Sequence, residues 1–117
     1  MIVYPITAVP KPRMTRRDKW AKRPCVLRYW AFKDEVRLRN VRLPMPYHVT
    51  FVMPMPSSWS AAKRAAMNGA PHTCTPDKDN LEKGLLDALF ANDAAIHDGR
   101  ASKIWGERGE IRIEELK

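Results

Sequence analysis

The chain has 117 residues, 44% of them hydrophobic, and a formal net charge of +8. That length suits one modest core, the apolar content excludes a disordered tail, and no apolar run approaches the about 20 residues a membrane span needs. The charge is split, because residues 1–42 hold 12 Lys and Arg against 3 acidic residues (net +9) while residues 43–117 hold 9 against 10 (net −1).

The first nine residues contain IVYPITAV, a β-branched and aromatic run that predicts a short strand; Pro5 makes it an edge strand or ends it early. With no basic n-region and no long apolar stretch before Val9, a signal peptide is not expected, and a cytoplasmic protein is the default reading. Residues 10–27 place Pro10, Pro12 and Pro24 among seven basic residues and read as a long basic loop. Loops of that length in a small domain tend to carry function. Residues 28–41 follow as a helix, with Tyr29, Phe32 and Val36 on one face.

Residues 47–53 alternate cleanly, with Tyr47, Val49, Phe51 and Met53 on one side, and predict a strand. Ser57 or Ser58 is the expected cap of a short helix ending near Met67. Residues 80–91 predict a second strong helix through Leu81, Leu85, Ala88 and Leu89. A weak strand near 95–105 and a clear one at 110–116 complete the chain, with Gly106 and Gly109 bracketing an expected hairpin turn. The fold class is therefore α/β (α+β), a single domain over residues 1–117 with a small mixed sheet and about three helices.

Chemistry concentrates after Pro76. Asp77 and Asp79 are separated by one residue, just before the second strong helix. If that stretch is extended, both carboxylates point the same way and repel unless a cation sits between them. Hard divalent cations such as Mg²⁺ take oxygen ligands and keep several waters. Lys83, four residues beyond Asp79, falls one helical turn along the same face, where it can offset phosphate charge. Asp93 lies just past the helix and joins the others only if the chain folds back. Spacing alone also allows a structural reading in which Asp79 and Glu82 form a capping pair, Asp77 favours the positive helix end and Lys83 is a solvated surface residue.

Cys25 and Cys74 are too few for a disulfide framework and read as free thiols. A zinc site built from His72, Cys74 and His97 would lack any CxxC or HxxxH pair. Arg13, Arg16, Arg17, Lys19, Lys22 and Arg23 are the expected phosphate contacts, which fix position without reading sequence. Trp20 reads as an anchor for that loop, Trp30 and Trp59 as core or interface residues. His48 and His72 have no partner by sequence.

Residues 76–106, PDKDNLEKGLLDALFANDAAIHDGRASKIWG, resemble the signature region of the RusA family of Holliday-junction resolvases, which are often encoded by phages and prophages. The family pattern is D-x-D-N-L-x-K, a D-A-L segment, an acidic turn and a D-x-R-x-x-K strand. Here these stand as Asp77 to Lys83, Asp87-Ala88-Leu89, Asn92-Asp93 and Asp98 to Lys103. The early segment VPKPRMTRRDKW is similar to the phage branch. The resemblance implies a catalytic region at about 76–106, with Asp77, Asp79 and Asp93 as metal-binding carboxylates and Lys83 as a catalytic cation. It also implies Mg²⁺ as cofactor with Mn²⁺ as a substitute, a branched four-way DNA substrate, a homodimer, and no membrane or small-molecule partner. One departure is Asn92, where the family often has a second acid. Two other readings stay open: a non-catalytic DNA-binding module, and a metal-dependent nuclease acting on other branched DNA or on RNA.

Overall fold

The structure, a computed structural model, describes residues 1–12, 23–90 and 96–116. Its elements run β1 (Ile2–Tyr4), α1 (Pro24–Leu38), β2 (Tyr47–Pro54), α2 (Ala61–Met67), α3 (Lys78–Leu89), β3 (Gly99–Gly106) and β4 (Glu110–Glu115). This is the predicted order of strands and helices. The strands form one mixed sheet in the spatial order β1-β4-β2-β3.

β2 lies between β4 and β3, and its alternation turns one face to the core. Tyr47, Val49, Phe51 and Met53 are buried, and in register with them stand Ile113 and Ile111 of β4 and Ala101 of β3. Helices α1 and α3 supply the other half of the core through Tyr29, Phe32, Val36, Leu81, Leu85 and Ala88. β2 and β3 run parallel, so the chain between them crosses over through α2 and α3.

β1 stops at Tyr4, just before Pro5, and pairs only with β4, as the expected edge strand does. Three boundaries differ from expectation. α1 begins at Pro24 rather than near Arg28, because proline at the first helical position needs no intrahelical N–H partner; the last four residues of the predicted basic loop are therefore helix. α1 also ends earlier. Asn40, at φ 53, turns the chain into the left-handed region, while the Val41 and Asn40 N–H groups donate to the carbonyls of Val36 and Arg37 at 3.2 and 3.1 Å. That pairing is a Schellman stop, and the apolar contact it favours is present as buried Val36 and Val41. Ser60, not Ser57 or Ser58, caps α2, accepting from the Lys63 N–H at 3.2 Å.

The expected hairpin is absent. β3 and β4 do not pair; β2 lies between them, parallel to one and antiparallel to the other. Residues 107–109 carry the chain past the end of β2. Gly109 serves close packing there, since a Cβ would run into the Thr7 side chain.

The outer edge of β3 is covered by the segment leading into α3. Gly69 and His72 donate backbone N–H groups to the carbonyls of Trp105 and Lys103 at 2.8 and 3.1 Å, and Trp105 donates to Ala70 at 2.9 Å. The start of α3 is thus hung from the sheet edge. Its middle is held from the other side. A Cβ on Gly84 would lie 2.9 Å from the Val9 carbonyl oxygen, so glycine is what lets residues 9–11 cross the helix closely. The Tyr29 hydroxyl donates to the Gly84 carbonyl at 2.9 Å; burial, then the charge of Asp87, push that hydroxyl up to about 12 and keep it protonated.

Candidate active site

The first turn of α3 carries the candidate chemistry. Asp77 occupies the N-cap position in extended conformation, at φ −67 and ψ 147, and its side chain makes no capping bond. Asp79 lies inside the first turn. The extended two-residue geometry expected for this pair is therefore corrected: one carboxylate precedes the helix and the other is in it, because the helix starts at Lys78. Both are exposed, as is Lys83 one turn further along. The capping-pair reading is overturned as well. Asp79 is not the cap, and the Glu82 carboxylate is taken by the Tyr47 hydroxyl, which donates to it at 2.6 Å. Burial, then that hydrogen bond, drive the tyrosine well above its ordinary range, so it remains a donor.

Asp87 is committed elsewhere on the same helix. Its Oδ2 lies 2.6 Å from Lys11 Nζ. The pair fastens the beginning of the basic segment to α3, two turns from Asp79. Arg23, the N-cap of α1, marks where the described chain resumes. Arg13, Arg16, Arg17, Lys19 and Lys22, and with them Trp20, lie outside the described residues. Between α1 and the end of α3 is an open polar cleft of about 660 Å³ lined by Lys11, Lys33, Arg37, Asn40 and Asp87.

Asp93 also lies outside the described residues. Among the described residues, no three His, Cys, Asp or Glu side chains gather as a metal site, and Cys25 and Cys74 are free thiols. What is present fits a hard cation rather than zinc. Asp77 and Asp79 are oxygen donors with no described hydrogen-bond partner, exposed at the positive end of a helix. Mg²⁺ is commonly held by one or two carboxylates together with waters and substrate phosphate oxygens.

Sequence reasoning missed several side-chain environments elsewhere in the fold. His48 has partners after all, in Glu114 and Ser102, each at 3.0 Å. Trp30 is 40% exposed rather than core. Trp59 packs on Trp105 with ring centroids 4.8 Å apart, and His72 meets Trp105 in a tilted contact with centroids 4.2 Å apart. His72 is buried, and its Nδ1 has no hydrogen-bond partner among the described residues. Burial, and after it the charge of Lys103, hold the His72 imidazole below its usual value of 6.5. The folded ring is therefore neutral where the unfolded ring begins to take a proton. Stability is fully present above about pH 6.5 and is lost as pH falls from there toward the folded value. Thermal melts from about pH 8 to about pH 5 should show this decline, and His72→Phe should flatten it. An equal decline in the variant would place the proton uptake on other groups.

No helix among the described residues is long and apolar enough to cross a membrane. The family model for the endodeoxyribonuclease RusA matches residues 5–114. The chain belongs to the RusA endodeoxyribonuclease family. Membership covers both the basic segment and the Asp77–Lys83 turn, and it implies an endodeoxyribonuclease of the Holliday-junction type. In a search of curated proteins, none matches the chain.

Proposed function

We propose that this RusA-family chain is a Mg²⁺-dependent, structure-selective endodeoxyribonuclease that resolves four-way DNA junctions as a homodimer, with Mn²⁺ able to replace Mg²⁺. The observation that carries the proposal is the first turn of α3. It presents two exposed carboxylates, Asp77 and Asp79, neither engaged in a described hydrogen bond, with Lys83 one turn away.

In this reading Asp77, Asp79 and Asp93 hold the cation. A bound divalent cation supplies hydroxide near neutral pH and offsets charge on the leaving oxygen. Lys83 reaches a phosphate oxygen and counters the negative charge that builds in the transition state. Arg13, Arg16, Arg17, Lys19, Lys22 and Arg23 grip backbone phosphates, and Lys33 and Arg37 extend the positive surface along α1. The Lys11–Asp87 pair keeps this basic surface next to the catalytic helix. A four-way junction has approximate two-fold symmetry and must be cut twice, and a symmetric dimer sets two such sites opposite each other.

A side-by-side substrate panel tests the specificity. A mobile four-way junction, a flap, a fork, linear duplex and structured RNA are incubated in Mg²⁺. The junction should be cut fastest and at paired positions on opposing strands. Equal or faster cutting of linear duplex or RNA would overturn the junction assignment while leaving a nuclease in place.

A further inference from the structure

The D-x-R-x-x-K strand of the family pattern ends on Lys103, a residue with no part in the scheme above. Lys103 stands opposite Phe51 in the parallel β2–β3 pairing, on the face that carries the core. Its ammonium lies where the chain approaches α3. There Nζ donates two short hydrogen bonds, each 2.6 Å, to the carbonyl oxygens of Cys74 and Pro76. The backbone carbonyl of the same residue accepts from the His72 N–H at 3.1 Å. One residue therefore grips residues 72–76 at three points. The buried His72 ring, packed on Trp105, adds a further anchor at the start of this stretch.

The second of those carbonyls is the informative one. The Pro76 C=O belongs to the peptide plane that also carries the Asp77 nitrogen. Fixing that plane fixes the direction from which the Asp77 Cα is approached. On the far side, the Asp77 carbonyl accepts from the Leu81 N–H at 3.1 Å as the first bond of α3. Asp77 is thus clamped through its backbone on both sides, while its carboxylate makes no capping bond and is left to a ligand. Bonds from an ionised donor are about twice as strong as neutral ones, so the clamp is a firm one.

We infer that Lys103 is a positioning residue: through the carbonyls of Cys74 and Pro76 it aims the Asp77 carboxylate at the divalent cation. The inference rests on the metal-site reading of Asp77 and extends it to the group that holds the ligand in place. The ammonium does not touch the substrate in this scheme; it acts through the backbone. Outer residues that orient a metal ligand typically change metal affinity or activity by about 10–100-fold when removed.

The test is Mn²⁺ binding to the DNA-free full chain, followed by the electron paramagnetic resonance signal of free Mn²⁺. Lys103→Met keeps the stem and removes the donors. It should weaken Mn²⁺ binding by about 10–100-fold and leave junction binding in EDTA unchanged. Lys103→Arg, whose guanidinium can serve two carbonyls, should recover most of the affinity. Should the Met variant fail to fold by circular dichroism, Lys103→Gln, which keeps a polar head too short to span both carbonyls, is measured against the same expectation. A folded Met or Gln variant that binds Mn²⁺ as tightly as wild type would overturn the inference. A wild-type protein that binds no Mn²⁺ would instead overturn the metal-site reading beneath it.

Discussion

Asp79→Asn should give a folded protein that binds four-way junctions in EDTA and does not cut them in Mg²⁺. The substitution preserves size and removes only the charge that a divalent cation needs. Asp79 sits in the first turn of α3, not at its cap, so its structural worth is the interaction of one exposed charge with the helix end, about 0.3–1 kcal/mol. That is small against a typical folding stability of about 5–15 kcal/mol. The catalytic loss is of another size. Giving up about 4 kcal/mol of metal-borne transition-state stabilisation slows the reaction by about a thousandfold. Asp77→Asn should behave in the same way, because asparagine serves at an N-cap about as well as aspartate, and Asp93→Asn likewise. Removing a negative charge should leave DNA affinity intact or raise it without metal. Gel-shift binding in EDTA beside cleavage in Mg²⁺ checks this, with circular dichroism for the fold. A variant that cuts at close to the wild-type rate would make the carboxylate structural.

Lys83→Ala should lower turnover far more than it lowers junction affinity. Lys83 is exposed and has no described partner, and alanine is the best helix former, so the fold should be untouched. Loss of one preorganised group facing transition-state charge costs on the order of 10²–10³ in rate. A plain phosphate contact would instead weaken binding and turnover together. Single-turnover rates at saturating protein, set beside the dissociation constant, separate the two outcomes.

What was legible in the sequence was whatever repeats over short distances. The alternation of Tyr47, Val49, Phe51 and Met53 marked the central strand, and the spacing of Leu81, Leu85 and Ala88 marked the helix under the site. The D-x-D-N-L-x-K run carries the family resemblance, and the family match over residues 5–114 agrees with it. What was hidden depends on contacts between distant segments. Gly106 and Gly109 mimic a hairpin turn, yet Gly109 is glycine because Thr7 packs against it from a hundred residues away in sequence, about the length of the chain itself. Glu82 looks like half of a capping pair until Tyr47 claims its carboxylate. Gly84 looks like a weak point in a helix until Val9 crosses it. The grip of Lys103 on Cys74 and Pro76 carries no local signal beyond a lysine in a strand. The closeness of Asp77 and Asp79 was plain in the sequence, but their placement on either side of a helix start was not, because helix boundaries depend on which backbone groups find partners.

The most direct measurement is cleavage of a mobile four-way junction by the wild-type chain across a metal switch: EDTA first, then Mg²⁺ in excess, then EDTA again. The expected result is junction binding throughout, with paired cuts on opposing strands appearing only while Mg²⁺ is present. Binding with no cutting in either Mg²⁺ or Mn²⁺, or cutting that continues unchanged in EDTA, would contradict a carboxylate-held cation at the start of α3.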